Sequence, residues 1–251
     1  MNTVFYLSTG LAFIISLILC PLYIAFARRQ QFGQQIRKDG PRRHLSKAGT
    51  PTMGGVVFLF SLVVTLLFFA PKTFELFAIL FITLGMAIIG YIDDYQKVAL
   101  KRSLGLRARE KFFAQFLLVL VFYGFLIYRG HSTVIDIPFT AFELELGLFY
   151  PLFIFVMISG TSNAVNLTDG IDGLAGGAAI IAFFAYFFIA TFKGLTEIAF
   201  FCSSFIGACF GFLLYNLHPA KVFMGDVGSL ALGSALAAVA IITKAELTLA
   251  I

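Results

Sequence analysis

The sequence predicts an all-α protein that crosses a membrane many times. Three observations carry this. Of its 251 residues, 60% are hydrophobic and only 12% charged, against roughly 45–50% and about 25% in soluble domains. Eight uncharged stretches reach about 17 residues or more, the length that crosses a hydrocarbon core. Long alternating polar and apolar strands, the mark of a membrane β-barrel, are missing.

The stretches run in order. The first, 1–27, has no basic start and is followed by Arg28 and Arg29, so it reads as a retained span rather than a cleaved leader. The second, 48–71, follows Lys47. The third, 76–92, ends at Asp93 and Asp94. The fourth, 112–128, follows a basic segment. The fifth and sixth, 146–168 and 173–192, are parted only by the short turn that holds Asp169 and Asp172. The seventh is 198–217, and the eighth, 227–243, starts just after Asp226. Residues 247–251, "LTLAI", look like a ninth span beginning. Cys20, Cys202 and Cys209 all fall in apolar segments and read as small buried hydrophobes, with neither a disulfide framework nor a metal motif.

Lys and Arg placement sets the expected orientation. Residues 28–47 hold Arg28, Arg29, Arg37, Lys38, Arg42, Arg43 and Lys47. Residues 97–111 hold Lys97, Lys101, Arg102, Arg107, Arg109 and Lys111, and Lys221 has the same parity. Lys72, Arg129, Lys193 and Lys244 fall on the other side. The N-terminus is therefore expected outside. The net charge of +5 is accounted for by topology, and no nucleic-acid partner is implied.

On that topology Asp93, Asp94, Asp169, Asp172 and Asp226 collect at the cytoplasmic ends of the spans, where acids are costly and suggest function. In "DDYQK", Lys97 lies at i+4 and i+3 from the two acids. This is either a helix-end ion pair or a site for a divalent cation carrying a diphosphate. In "NAVNLTDGIDGLAGG", Asn163, Asn166, Asp169 and Asp172 recur every three residues, so successive members are neighbours on a helix. The bland alternative is a turn with Asx caps. In "FMGDVGS", Asp226 is either an N-cap or a metal ligand that holds a phosphate at a helix N-terminus. "KAGTPTMGG" sets Lys47 and Thr52 in a shaped turn. His44, His131 and His218 form no metal constellation.

These motifs, in this order, resemble the polyprenyl-phosphate N-acetylhexosamine-1-phosphate transferases. "KAGTPTMGG" narrows the resemblance to the peptidoglycan branch, the phospho-MurNAc-pentapeptide transferases. The resemblance implies a ten-helix enzyme of the bacterial inner membrane with its active site on the cytoplasmic face. It implies transfer of phospho-MurNAc-pentapeptide from UDP-MurNAc-pentapeptide to undecaprenyl phosphate, giving lipid I and UMP, with Mg²⁺ as cofactor. Membrane lipid is a further partner, and a homodimer remains an option. On the same analogy Asp226 is the metal ligand and Asp93 and Asp94 are the catalytic acidic pair, with Asp93 deprotonating the lipid phosphate. Lys47, Thr52, Lys97, Asn163, Asn166, Asp169, Asp172 and Asn216 then line the substrate cleft, and Phe223 stacks on the uracil.

The whole chain reads as one transmembrane transferase domain with eight complete spans. It is incomplete relative to the family, whose pattern continues for two more spans and a loop of adjacent histidines. Three alternatives stand beside this reading: a UDP-GlcNAc transferase of the same superfamily, a truncated non-catalytic remnant, and an ion-coupled transporter. Against the transporter, the acids sit at one surface and the halves show no repeat.

Overall fold

The computed structural model describes residues 2–33, 49–100, 105–140 and 142–250. Eight α-helices follow one another: α1 (Asn2–Arg29), α2 (Gly55–Phe69), α3 (Phe74–Ala99), α4 (Ala108–Tyr128), α5 (Tyr150–Thr168), α6 (Leu174–Phe192), α7 (Thr196–Asn216) and α8 (Gly225–Ile242). A two-stranded antiparallel hairpin, β1 (Val134–Asp136) and β2 (Glu143–Glu145), lies between α4 and α5. Among the described residues, seven helices are long and apolar enough to cross a membrane, and the protein is an all-α, multi-pass membrane protein. The last described residues, Leu247–Ala250, form a 3₁₀ turn.

The second expected span is where sequence and structure part. The apolar window 48–71 yields only α2, 15 residues long. That is about 22 Å of helix against roughly 30 Å of hydrocarbon. Residues 50–53 stay outside the helix: Pro51 has no N–H to give and Met53 takes the left-handed φ of 65°. The exposed backbone groups find partners in a second loop. Pro51 O accepts from Phe223 N (2.8 Å), Gly54 N donates to Phe223 O (2.9 Å), and Gly55 N donates to Met224 O (2.9 Å). Non-helical backbone is tolerated at such depth only when it is satisfied inside the protein.

Two helices form the centre. α8 packs against α3 and α5, and α7 packs against α1 and α6. Small side chains make the α8 contacts close, as expected where helices associate in lipid. At the crossing of α3 and α8, a Cβ on Gly90 would collide with the carbonyl of Asp226, so glycine is required for the two backbones to meet there. Cys20, Cys202 and Cys209 are buried and unbridged, as expected.

A polar knot ties the bundle at the end far from the acidic motifs. The Tyr150 hydroxyl donates to Glu246 (3.0 Å) and meets His131 Nε2 at 3.1 Å, while Lys244 donates to Glu246 (2.9 Å). Burial, reinforced by the Lys244 ammonium, pushes the His131 imidazole down to about 4. The ring is therefore neutral where it meets Tyr150.

Candidate active site

α3 continues past the apolar window to Ala99, so Asp93, Asp94 and Lys97 all lie on one helical turn. Lys97 Nζ stands 2.6 Å from Asp93 Oδ2 and 3.5 Å from Asp94 Oδ1. The Gly90 crossing brings the start of α8 against this turn, and Lys97 Nζ reaches Asp226 Oδ1 at 3.2 Å. Three carboxylates, Asp93, Asp94 and Asp226, then offer oxygen atoms that all lie within 4.8 Å of one another. Asp93 and Asp94 are each only 4% exposed. Buried carboxylates this close repel unless cations sit among them.

Each carboxylate is also fixed by a neutral or positive donor. Leu106 N donates to Asp93 Oδ1 (2.8 Å), and Val227 N donates to Asp94 Oδ2 (3.2 Å). Asp94 thus takes the anion position at the N-terminus of α8, which the sequence offered to a phosphate. Gly225 makes this possible: its φ of +71° suits a residue without Cβ, and a Cβ there would strike Asp94 Oδ2. Asn166 Nδ2 donates to Asp226 Oδ1 (2.8 Å) and to Ser229 Oγ (2.8 Å). Lys111, in the first turn of α4, donates to Asp226 Oδ2 at 2.7 Å.

Lys111 and Ser229 are the site residues that the sequence reading missed. By sequence Lys111 reads only as one of the topological charges of residues 97–111. The signal in the sequence is its position as the last charge before the apolar run of α4; in the structure its side chain is 17% exposed and paired with Asp226.

Other expected residues lie beside or away from the cluster. Thr52 is buried next to Gly225, and its carbonyl accepts from the Tyr23 hydroxyl (2.7 Å). Asn163 donates to Gln115 Oε1 (3.3 Å) and to Ser159 O (2.7 Å), one turn deeper than Asn166. α5 ends at Thr168, so Asp169 and Asp172 leave the helix and the ladder of four does not form one continuous row. Asp172 Oδ2 accepts from Ala220 N (3.1 Å) and lies 3.0 Å from His218 Nδ1. Asn216 is 1% exposed; its amide accepts from Gly173 N (3.1 Å) and donates to Val222 O (2.9 Å). It clips two loops together. Phe223 is 4% exposed, so stacking on it requires its cover to move. Lys47 lies outside the described residues.

The arrangement suits a divalent cation. Hard cations take oxygen ligands, and the cluster supplies three carboxylates at one point. The lysines suit phosphate.

The chain is matched over residues 76–244 by the family model Glycosyl transferase family 4. Residues 47–59 match signature 1 of the phospho-N-acetylmuramoyl-pentapeptide-transferases. A phospho-N-acetylmuramoyl-pentapeptide-transferase of Geobacillus sp. (strain WCH70) is 50% identical over 255 aligned residues, covering 100% of this chain and 79% of the relative. The chain belongs to this transferase family. Relatives of the same name from Anoxybacillus flavithermus and Geobacillus kaustophilus are 49% and 47% identical over 97% and 98% of the chain, and over 76% and 77% of their own lengths. The phospho-N-acetylmuramoyl-pentapeptide-transferase signature covers Thr52 and runs into α2. The loop pairing of 51–55 with 223–224 carries that segment to Asp226.

Proposed function

We propose that the chain transfers phospho-MurNAc-pentapeptide from UDP-MurNAc-pentapeptide to undecaprenyl phosphate, giving lipid I and UMP. The observation that carries this reading is the meeting of three carboxylates with Lys97 and Lys111 at one end of the bundle. An oxygen of the lipid phosphate bonds to the sugar-linked phosphorus of the donor. The bond from that phosphorus to the UMP oxygen breaks, and UMP leaves with the electron pair. Such transfers need positioning and charge neutralisation more than covalent help.

Asp226, with Asp93 and Asp94 beside it, would hold Mg²⁺, which when bound neutralises the diphosphate and the leaving UMP. Asp93 accepts the proton of the lipid phosphate, its carboxylate oriented by Leu106 N–H. Lys97 and Lys111 turn from the carboxylates to the phosphates when these arrive. Asn166 orients Asp226. Thr52, Asn163, Asp169 and Asp172 border the donor's path, and Asn216 acts through the loops it clips; Lys47 is assigned to the same substrate by the signature that begins at it. Residues 1–251 act as one transmembrane transferase domain.

The test is reconstitution in vesicles with undecaprenyl phosphate and UDP-MurNAc-pentapeptide. Lipid I and UMP should form in equal amounts and stop on chelation. Consumption of UDP-GlcNAc instead would assign the chain to the other branch. Substrate crossing the vesicle wall without UMP release would make it a transporter.

We also propose that the carboxylate cluster faces the cytoplasm of a bacterial inner membrane, with the N-terminus outside, from the uneven distribution of Lys and Arg. Cysteines introduced at Lys221 and Ser132 should label from opposite sides, Lys221→Cys only from the cytoplasm and Ser132→Cys only from outside. The three native cysteines are buried and give little background. Labelling of both from one side would refute the topology.

A further inference from the structure

The hairpin between α4 and α5 is amphipathic with a strict period of two. Its register pairs Ile135 with Leu144 and Asp136 with Glu143, and Ile137 N extends the ladder by donating to Phe142 O (3.1 Å). Cross-strand partners lie on one face of a sheet. One face therefore carries Ile135, Ile137, Phe142 and Leu144, and the other Val134, Asp136, Glu143 and Glu145. Ile135 is 2% exposed and belongs to the hydrophobic core of the bundle. The apolar face is thus turned toward the helix ends, and the carboxylates are turned away from them.

Beyond Ile135 the apolar face has no cover among the described residues. Phe142 and Leu144 are exposed, and Phe139 at the tip is 96% exposed. Leu148 and Phe149, in the turn that enters α5, are exposed as well. The ribbon joins two membrane-length helices, so its height is fixed near the membrane boundary. It follows α4 in the chain, whose last residues, Ile127 and Tyr128, are exposed as well.

We propose that this ribbon is an interfacial anchor. It lies flat on the bilayer at the end opposite the carboxylate cluster, with Phe139, Phe142, Leu144, Leu148 and Phe149 dipped into the boundary between headgroups and acyl chains. Asp136, Glu143 and Glu145 face water. Amphipathic elements bind membranes in this way, with the apolar face a few ångströms deep. Lipid is the occupant because the face is turned toward the helix ends, as the buried Ile135 shows, and the ribbon is tethered on both sides to membrane-length helices. A protein docking from the aqueous side would meet the acidic face instead.

The chain contains no tryptophan, so Phe139→Trp gives a single fluorophore at the tip. The full chain carrying it is reconstituted in phosphatidylcholine vesicles, with lipids brominated near the glycerol end or near the methyl end of the acyl chain. Leu120→Trp, on the exposed side of α4 away from its ends, serves as the deep reference, and Leu148→Trp as a second interfacial probe. Phe139→Trp and Leu148→Trp should lose most of their emission to the shallow bromines and much less to the deep ones, with little quenching by aqueous acrylamide. Leu120→Trp should show the reverse depth preference. Strong acrylamide quenching without a bromine effect would place the ribbon in water and overturn the proposal. Quenching by neither reagent would mean that protein covers the face, a second copy included, and would overturn it equally.

Discussion

Asp226→Asn should abolish UMP release while leaving the protein folded. Asp226 is the carboxylate on which the cluster converges. One oxygen faces Lys97 at 3.2 Å and accepts from Asn166 at 2.8 Å; the other accepts from Lys111 at 2.7 Å. Asparagine keeps the size and removes the charge. Its NH₂ must then face donors on one side or the other, since every neighbour named here is itself a donor. A divalent cation loses a charged ligand, Lys111 loses its counter-ion, and Lys97 keeps only Asp93 and Asp94. Removing one preorganised charge-stabilising group costs about 10²–10³ in rate, and this substitution also disorders its neighbours. The stability cost is smaller, about 1–3 kcal/mol for buried donors left unpaired. UMP release at saturating Mg²⁺, with a thermal melt as control, decides the matter. Activity within about tenfold of the parent would remove Asp226 from the metal site, because a lost oriented charge costs more than that.

The end of the bundle that carries the site was legible because each motif sits at a helix end of the same parity. The shared turn of Asp93, Asp94 and Lys97 was legible because i+3 and i+4 spacing becomes contact once α3 continues to Ala99. What escaped the sequence depended on contacts between distant segments. Lys111 reads as one basic residue among many until the start of α4 is placed beside Asp226. Asn216 and Asp172 have the chemistry of ligand-binding side chains, and their bonds to backbone groups at Gly173, Val222 and Ala220 join segments that the sequence keeps apart. The three-residue spacing of the Asn and Asp ladder also drifts around the helix by about 60° per step. Asn166 therefore meets Asp226 while Asn163 turns to Gln115 of α4. Apolarity marked 48–71 as a span, but it carried no sign that Pro51 and Gly54 would pair through their backbones with the loop before α8.

Lys97→Met should weaken catalysis and tighten metal binding at the same time. In the structure its ammonium stands 2.6, 3.5 and 3.2 Å from Asp93, Asp94 and Asp226. That is the space a divalent cation shared by the three carboxylates would enter. Two positive groups there compete. At about 4 Å a pair of unit charges interacts by roughly 4 kcal/mol at an effective dielectric of 20. Lys97 is 28% exposed on a flexible stem and can swing aside, so only part of that is recovered, and we expect metal affinity to rise by at least about tenfold, or 1.4 kcal/mol. Turnover should fall by about 10²-fold, because the lysine that leaves the carboxylates is the one available to the incoming phosphates. Stability gives an independent readout. With chelator present, three buried carboxylates lose one of their two lysines and the melting temperature should drop. Added metal should raise it by more than in the parent, since a ligand stabilises in proportion to its affinity for the folded state. Lys97→Arg keeps the charge and should show neither the tighter binding nor the larger shift. Calorimetric titration with Mn²⁺ measures the first effect directly. Metal affinity unchanged or reduced in Lys97→Met would show that the ammonium and the cation do not share this space, and would sink the assignment of the three carboxylates as one metal centre.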